Sequence, residues 1–413
     1  MRIALFNHHA SAVGGIEVYL RRLIPLLLNA GHEVALLHRH PPEPAREPVA
    51  PKNMTVWSVA ALGGERALAS VCEWKPDVVY AHGVPPPGPL ESLSEAAPVL
   101  YFAHAYSGVC ISEGKHFKAP CPQPCDRVFG PACLLMFYPR RCGGLNPLTM
   151  LADYRRQRRA LAWLRRAARI ATHSARMREE FLRHGIPAGR VSEIPFLVPA
   201  GAPVSAAHKP PSPGQPPRLL FLGRMERGKG GEFLLRALPA VQPKLGRSLS
   251  VVFAGDGPER MRWEALAGDV RREKWLSIRF SGWVDDAQRA TLLAETDLLV
   301  LPSVWPEPFG QTGVEAAWAG VPAVAFDVGG VRAWLTPGVN GQLAPGNPPT
   351  VNGLAEALEM TLRDPVELAR LGEGARREAE RFTPEQHLAA LHELLAMTAA
   401  EPRTMSALRA AAS

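Results

Sequence analysis

The sequence predicts an α/β protein with two tandem domains, each built on a parallel β-sheet that is flanked by helices. Three observations lead to this fold class: the length of 413 residues, an alternation of short apolar runs with helical stretches, and a proline-rich segment near the middle. The length is about two to three times that of a usual domain. A hydrophobic content of 46% with 21% charged residues gives each domain enough apolar side chains for its own core.

The first half of the chain alternates strand-like and helix-like segments. Arg2–Phe6 is a short apolar run, Glu17–Ala30 carries apolar residues at helical spacing, and Glu33–Leu37 is apolar again. Three more strand-like runs follow, at Asp77–Tyr80, Val99–Phe102 and Arg169–His173. This alternation indicates βαβ units, and the resulting parallel sheet is expected to bind ligands at the carboxyl ends of its strands.

A second pattern of the same kind begins after a linker. Pro210–Pro217 is rich in proline and is predicted to be irregular, whereas Arg218–Gly223 starts a new strand. Further strand-like runs are Leu249–Ala254, Ser277–Phe280, Leu298–Leu301 and Ala323–Phe326. We therefore assign residues 1–205 to a first domain, residues 206–385 to a second, and residues 386–413 to a C-terminal helix and tail.

Positive charge is concentrated in one predicted helix. The net charge is +8, and Tyr154–Arg166 contains six arginines and no acidic residue. With Leu161, Trp163 and Leu164 this helix is a candidate for contact with an anionic membrane surface, and a solvated helix face is the simpler interpretation. No zinc-finger spacing or RNA-recognition signature accompanies the arginines, so nucleic acid is not expected as a partner.

No apolar run reaches the roughly 18 residues that a membrane-spanning helix needs. The first residues also lack the long apolar region and the cleavage site of a signal peptide. We therefore expect a cytoplasmic protein that is at most peripheral on the inner face of the membrane.

Five of the six cysteines lie in one stretch that is rich in proline and glycine. These are Cys110, Cys121, Cys125, Cys133 and Cys142. The spacing of Cys121 and Cys125 allows both thiolates to bind one structural Zn²⁺. A redox-labile loop and ordinary buried thiols are equally open interpretations, and disulfides are less expected without an export signal.

The strongest chemical feature is the segment Glu307–Ala317, which follows a predicted strand of the second domain. It contains a glycine turn, and a helix is predicted to begin near Thr312. Free amides and the positive end of a helix favour a diphosphate, and Gly310 allows the backbone to approach it closely. Glu307 and Glu315 flank the turn, and their carboxylates can accept hydrogen bonds from sugar and ribose hydroxyls.

A second loop in the same domain supplies two cations. Arg224 and Lys229 directly follow the strand Arg218–Gly223, and they lie five residues apart. A guanidinium fork and an ammonium point charge are both suited to a diphosphate. Because both loops follow parallel strands, we expect them at the same edge of the sheet.

In combination these loops resemble family-4 retaining glycosyltransferases, also described as glycosyl transferases group 1. The motifs occur in the family's order: Gly223-Arg224…Lys229-Gly230, Gly255-Asp256-Gly257-Pro258, Gly282-Trp283-Val284, Glu307-Pro308-Phe309-Gly310, Glu315-Ala316 and Gly320-Val321-Pro322. The loop Gly14-Gly15-Ile16-Glu17 resembles the glycine motif of the family's first domain. The resemblance covers most of residues 1–390. It implies the GT-B fold, in which two Rossmann-like domains face each other across a cleft.

The resemblance also implies a role for each motif residue. Arg224 and Lys229 would stabilise the diphosphate leaving group, Glu307 would contact the transferred sugar, and Glu315 would contact the ribose. The other implied donor-binding residues are Gly14, Gly15, Phe309, Gly310, Gln311 and Thr312. His104 matches the family's active-site histidine, although Ala105 stands where the family more often has aspartate.

The implied activity is that of a hexosyltransferase of polysaccharide biosynthesis. It would move a hexose-type sugar from a UDP- or GDP-sugar to a glycan, a polysaccharide precursor or a lipid-linked acceptor, with retention and without a metal or other cofactor. A sugar-nucleotide epimerase of the same fold and a non-catalytic sugar-nucleotide-binding protein are the alternatives. A nicotinamide enzyme is disfavoured because Gly14-Gly15 lacks the spacing of the dinucleotide fingerprint.

Overall fold

A computed structural model describes residues 1–44, 46–198, 215–270 and 275–402. The predicted linker Pro210–Pro217 lies largely outside these residues, as does the tail 403–413. In chain order the strands are β1 Arg2–Asn7, β2 Glu33–His38, β3 Thr55–Ser58, β4 Val78–Ala81, β5 Val99–Phe102, β6 His116–Phe117, β7 Gln123–Pro124, β8 Arg169–Thr172, β9 Val191–Glu193, β10 Arg218–Leu222, β11 Leu249–Ala254, β12 Leu276–Gly282, β13 Leu298–Leu301, β14 Ala323–Phe326 and β15 Gly341–Ala344.

The α-helices alternate with these strands over most of the chain. They are α1 Gly15–Asn29, α2 Val59–Leu62, α3 Gly64–Trp74, α4 Leu93–Ala96, α5 Ala132–Met136, α6 Pro147–Leu164, α7 Ala175–Arg183, α8 Gly231–Leu245, α9 Arg260–Val270, α10 Asp286–Ala294, α11 Gln311–Trp318, α12 Val351–Leu362, α13 Pro365–Ala379 and α14 Pro384–Ala399. A 3₁₀ turn, Arg227–Lys229, directly precedes α8.

Two parallel sheets confirm the predicted α/β class with two Rossmann-like units. The first sheet has the order β3-β2-β1-β4-β5-β8-β9, and the second has the order β12-β11-β10-β13-β14-β15. In the first sheet the chain runs outward from β1 through β2 and β3 and then continues on the other side with β4, and β10 has the same place in the second sheet. This doubly wound arrangement opens a crevice at the carboxyl ends of the strands. We call the two sheets with their covering helices the first lobe and the second lobe.

Helices cover both faces of each sheet, which explains why the strands are continuous apolar runs rather than alternating ones. In the second lobe, α8, α9 and α12 bury Leu234, Trp263 and Leu358 against one face. The opposite face is covered by α10 and α11, which contribute Leu293 and Val314 to a second cluster. Both clusters hold the strand ends of this lobe in place.

The predicted strands are observed with bounds that differ by two residues at most, whereas β3, β9, β15 and the two-residue strands β6 and β7 were missed. Thr55–Ser58 is an edge strand with two exposed residues, and Val191–Glu193 has only three residues. Gly341–Ala344 contains no β-branched or aromatic side chain. Gly341–Ala344 thus lacks the β-branched pattern by which a strand is recognised, and Val191–Glu193 is too short to show one. Thr55–Ser58 contains Thr, Val and Trp, but its four residues do not form the continuous apolar run of the buried strands.

The C-terminal helix α14 belongs physically to the first lobe, although it follows the second lobe in sequence. Leu391 and Leu395 are fully buried in the same cluster as Leu5 of β1. The imidazole of His387 donates through Nδ1 to the Pro195 carbonyl at 2.8 Å and accepts from the Tyr19 hydroxyl at 3.0 Å. Burial lowers the pKa of His387 to about 4, so the neutral ring serves in both contacts at physiological pH.

The basic helix α6 is oriented differently from the sequence interpretation. Leu161, Trp163 and Leu164 are buried in the cores of the first lobe. The lipid contact that we assigned to these three side chains is therefore wrong, because helical spacing alone does not distinguish a core from a membrane. The arginines at positions 155, 156, 158 and 159 are exposed, as in a solvated helix face. No helix in the described part of the chain is long and apolar enough to cross a membrane.

The cysteine-rich loop, residues 110–142, is held to the rest of the first lobe by ionic and polar contacts. None of its five cysteines forms a disulfide in the described structure. Burial is the main cause that raises the pKa of Cys142 to about 12, and the neighbouring thiols raise it further. Within the described residues no group of three or more His, Cys, Asp or Glu side chains is arranged to hold a metal ion. The structure therefore does not support the zinc interpretation. The spacing of the cysteines in the sequence suggested it, but spacing does not determine where the sulfur atoms point.

A buried ion pair anchors this loop to α7. The ammonium group of Lys115, 2% exposed, contacts the fully buried carboxylate of Glu180 and donates to the Arg127 carbonyl at 2.5 Å. His184 continues the anchor, since its Nδ1 donates to the Glu180 carbonyl and its Nε2 accepts from the Phe129 amide at 2.8 Å. Loop and helix are thus connected by polar contacts inside the lobe.

We predict that Lys115→Met lowers the free energy of unfolding by about 3 kcal/mol, since it leaves the Glu180 carboxylate buried without its main partner. The value lies at the low end of such losses because Arg183 remains 3.7 Å from that carboxylate. Urea unfolding followed by circular dichroism measures the change. Lys118→Met, an exposed lysine in the same loop, is the matched control. Equal stability of the two variants would contradict the anchoring role.

Candidate functional site

The candidate site lies where the carboxyl ends of the two sheets meet. The second lobe contributes the turn after β10 and the long loop between β13 and α11. The first lobe contributes the glycine loop between β1 and α1, together with the residues that follow β4, β5 and β8. Parallel strands place these loops at one edge of each sheet, as their positions in the sequence predicted.

Glu307 is the centre of the polar contacts in the second lobe. Its side chain is 9% exposed, and Oε1 accepts hydrogen bonds from Lys229 Nζ and from Ser303 Oγ, both at 2.6 Å. The structure therefore brings two predicted site residues into direct contact. Ser303, which directly follows the strand β13 and its proline, belongs to the same motif, but the sequence reasoning gave it no role in the site.

Backbone contacts fix the position of the Glu307 loop. The Glu307 carbonyl accepts from the Gly330 amide at 2.7 Å. A Cβ atom on Gly330 would lie 2.1 Å from the Pro308 carbonyl oxygen, so only glycine allows the two backbones to approach this closely. From the first lobe, Ser174 Oγ donates to the same Pro308 carbonyl at 2.6 Å. The loop is thus held from both lobes.

The start of α11 also contacts both lobes. Phe309 stacks on Phe196 with 4.9 Å between the ring centroids, and its carbonyl accepts from Trp334 Nε1 at 2.7 Å. Gly310 caps the helix in the left-handed region at φ +88° and offers no side chain to the first amides. These amides, at the positive end of the helix, are suited to an anionic ligand. Gln311 lies 3.6 Å from the Cβ position of Gly15 in the first lobe, whose backbone thus approaches this helix closely.

Glu315 is buried between two arginines that the sequence reasoning missed. Its carboxylate lies 3.6 Å from Arg22 of α1 in the first lobe and 3.3 Å from Arg289 of α10 in the second. The side chain is 6% exposed, and Oε1 has no hydrogen-bond donor within the described structure. Glu315, which was predicted to bind the ribose, therefore forms an ionic contact between the lobes.

Arg224 lies apart from these contacts. Its side chain is 70% exposed, and its guanidinium is 3.9 Å from the Glu226 carboxylate. Gly223 and Gly255 hold the neighbouring loops close together, because a Cβ on Gly255 would lie 2.0 Å from the Gly223 carbonyl oxygen. The structure thus places Arg224 on the predicted loop but does not direct it toward Glu307.

His104 follows β5 and lies in a group of neutral histidines. Its Nε2 is 3.0 Å from Nδ1 of His82, and these two nitrogens share one proton in a hydrogen bond. Burial lowers the pKa of His104 well below its usual value and that of His82 to about 3. Both rings are therefore uncharged at physiological pH and suited to hydrogen bonds with hydroxyl groups.

A cavity of about 590 Å³ opens beside His104 in the first lobe. Its polar lining includes His8, Glu17, Arg39, Glu113, Gln157 and Arg159. Sequence reasoning identified none of these six as site residues. His8 and Arg39 directly follow β1 and β2, so their position at strand ends was an available signal, whereas Glu113 and Arg159 reach the cavity only through tertiary packing.

Comparison with known proteins gives the family. The description "Glycosyltransferase Family 4" matches residues 13–199, and "Glycosyl transferases group 1" matches residues 206–378. The chain is 27% identical to a glycogen synthase of Mycobacterium tuberculosis over an alignment of 424 positions, which covers 91% of this chain and 89% of that protein. It is 36% identical over 174 residues to a phosphatidyl-myo-inositol mannosyltransferase of Mycobacterium leprae, covering 41% and 44% of the two chains.

Solved structures agree on the fold. HepE of Anabaena in complex with UDP and glucose matches with a TM-score of 0.63 at 18% identity, over 96% of this chain and 99% of that one. At this identity the likeness establishes the fold and not the substrate. The two family matches cover both lobes and the observed sheets have the matching architecture, so the chain belongs to the family-4 glycosyltransferases of the GT-B type.

Proposed function

We propose that this protein is a retaining, metal-independent hexosyltransferase that uses a UDP- or GDP-sugar. The observation that carries the proposal is the contact of Lys229 and Ser303 with Glu307 beside the uncapped start of α11. A cation, a carboxylate and free amides lie together at the carboxyl edge of one sheet, where a diphosphate and a sugar can bind side by side. The proposed acceptor is a glycan, a polysaccharide precursor or a lipid-linked sugar.

The proposed chemistry places negative charge where these groups lie. The acceptor hydroxyl gives up its proton and bonds to the anomeric carbon, while the bond from that carbon to the donor phosphate breaks. The electron pair stays on the phosphate, which can take up the proton. Lys229 and the amides of Phe309 to Thr312 face this growing charge, and preorganised groups of this kind stabilise a transition state strongly.

The two carboxylates have different proposed partners. Glu307 accepts hydrogen bonds from hydroxyls of the transferred sugar, since it lies against Lys229. Glu315 accepts from the ribose, which requires it to exchange contacts with Arg22 or Arg289 when the donor binds. Arg224 must turn from solvent toward the diphosphate, and its 70% exposure leaves the side chain room to do so.

The cavity beside His104 is the proposed acceptor site. It lies in the first lobe next to Glu17 of the glycine loop, and its volume of about 590 Å³ is within the range of small-molecule sites. Uncharged histidines, carboxylates and arginines can each hydrogen-bond to sugar hydroxyls. Through His104 an acceptor hydroxyl would be oriented toward the donor.

We also propose that the protein is cytoplasmic and binds the inner face of the membrane peripherally. The four exposed arginines of α6 support this proposal, together with leucines at the start of the same helix. Leu148 is 75% exposed on α6, and Leu145, just before the helix, is 81% exposed. Exposed apolar side chains beside cations are the pattern of an interfacial helix.

The decisive test is the release of nucleoside diphosphate from UDP- and GDP-sugars with and without an acceptor extract. Release that depends on the acceptor, together with a glycoside of unchanged anomeric configuration by NMR, supports the proposed reaction. An epimerised sugar without any acceptor would instead identify the epimerase of the same fold. Activity that is lost in EDTA and restored by a divalent metal would exclude metal independence.

Lys229→Ala is expected to lower kcat by roughly 10²- to 10³-fold, the effect of removing one preorganised stabilising group. The measurement is steady-state turnover with saturating donor. Lys52→Ala, at an exposed position of the first lobe, is the control and should keep the wild-type rate. Turnover of Lys229→Ala within a factor of three of the control would remove the proposed role.

Substitution of the two carboxylates should separate sugar transfer from nucleotide binding. Glu307→Ala should lower kcat while the Kd for the nucleoside diphosphate stays nearly constant. Glu315→Gln should weaken nucleoside diphosphate binding by about tenfold or more, because it loses charge-assisted hydrogen bonds to the ribose. Calorimetry and turnover on the same preparations measure both effects, and an equal loss of binding in the two variants would contradict the assignment.

Replacement of the four exposed arginines of α6, at positions 155, 156, 158 and 159, by alanine should reduce sedimentation with anionic vesicles at least fivefold. The physical reason is the loss of about 1 kcal/mol of attraction for each arginine near the surface. The matched control replaces Arg363, Arg370, Arg377 and Arg381 of the second lobe, which are also exposed and give the same change in net charge. If both variants sediment like the wild type, the membrane proposal fails.

A further inference from the structure

A second cavity, of about 310 Å³, lies between the cysteine-rich loop of the first lobe and the helices α8 and α9 of the second. Lys118 and Pro122 of the loop form one wall. Arg227, in the 3₁₀ turn before α8, and Arg262 of α9 lie on the other side. The cavity is therefore built from both lobes, and neither the family matches nor the proposed reaction assigns it a ligand.

The cavity carries an excess of positive charge. Its lining contains the four cations Lys118, Arg227, Arg236 and Arg262, against the single carboxylate of Glu232. Both oxygens of this carboxylate are occupied, since Oε1 accepts from Arg236 at 2.9 Å and Oε2 lies 2.8 Å from Arg262. Glu232 therefore cannot neutralise the other two cations.

Lys118 and Arg227 have no carboxylate partner in the described part of the chain. Both side chains are exposed, and they approach the cavity from opposite lobes. Two cations that line one opening without a neighbouring carboxylate attract a small anion that carries more than one negative charge. Phosphate is such an anion, and guanidinium groups bind its oxygens in pairs.

Apart from the imidazole of His116, the remaining lining is apolar and aromatic. Phe233, Trp263, Val304 and Val351 form the floor, and Pro120 stands beside Pro122 in the loop. Trp263 is 1% exposed and Val304 is 1% exposed, so this floor is part of the core and is fixed. A floor of this kind can hold the carbon body of an organic phosphate while the cations bind its charged group.

The cavity is separate from the donor contacts although it borders the same turn. Lys229 Nζ points to Glu307, and neither of these residues nor Arg224 or Glu315 lines the cavity. Gly230, which lines it, immediately follows Lys229 in the chain. A ligand here would therefore contact the turn that carries Lys229 through Arg227 and Gly230, without lining residues from the donor contacts.

We propose that this cavity binds the phosphate group of a small molecule, either inorganic phosphate or a sugar phosphate. Such a ligand would connect Lys118 of the first lobe to Arg227 of the second. Since the turn Arg227–Lys229 is shared with the donor site, bound phosphate and bound donor would influence each other's affinity. The binding itself does not depend on the proposed transfer reaction.

Isothermal titration of the full-length protein with inorganic phosphate and with glucose 6-phosphate tests the proposal. A saturating nucleoside diphosphate is present, so that the donor loop is occupied. At least one of the two titrants is expected to bind, and Lys118→Glu should weaken its binding at least tenfold. Tighter binding of glucose 6-phosphate identifies an ester as the ligand, and tighter binding of inorganic phosphate identifies the free anion.

Lys52→Glu is the matched control, because it changes the net charge equally at an exposed lysine that does not line the cavity. Arg227→Glu tests the opposite wall and should also weaken binding tenfold or more. Thermal unfolding of each variant verifies that it is folded.

The proposal is overturned if neither titrant binds, or if Lys52→Glu weakens binding as much as Lys118→Glu. It is also overturned if the nucleoside diphosphate abolishes binding while Lys118→Glu preserves it, since phosphate would then occupy the donor loop. Failure of the proposed transfer reaction would appear separately, as absence of nucleoside diphosphate release.

Discussion

The carboxylate and the carbonyl of Glu307 hold together three loops at the carboxyl edge of the second sheet. The side chain accepts from Lys229 after β10 and from Ser303 after β13, and the carbonyl accepts from Gly330 after β14. One residue thus determines how three neighbouring strand ends are spaced. Because a buried carboxylate is stable only with such partners, the chemistry of the site and the local packing depend on the same contacts.

Contacts between the lobes are concentrated beside these loops. Ser174 donates to the Pro308 carbonyl, Gln311 lies 3.6 Å from the Cβ position of Gly15, and Arg22 lies 3.6 Å from Glu315. The residues that are proposed to bind the donor are thus also the residues that touch the first lobe. A change in the angle between the lobes would therefore move the loops that are proposed to bind the donor.

The sequence was informative where a strand end placed a residue of a recognised motif, although His8 and Arg39 were overlooked at other strand ends. Lys229 and Glu307 follow parallel strands, and their placement at the same edge of the sheet was expected from that position, whereas their direct contact was not predicted. Arg22 and Arg289 come from helices, and their approach to Glu315 depends on how the lobes and helices pack, which no local pattern encodes. The same limit explains the buried face of α6 and the free thiols of residues 110–142, because spacing determines neither which side of a helix is covered nor where sulfur atoms point.

The return of α14 to the first lobe makes the second lobe, in topological terms, an inserted domain. The chain passes from the first lobe to the second between β9 and β10 and returns between α13 and α14. A double connection permits rotation about an axis near both crossings and resists separation of the lobes. It also means that loss of α14 would uncover the apolar face of the first sheet around Leu5, because α14 completes the core to which β1 contributes.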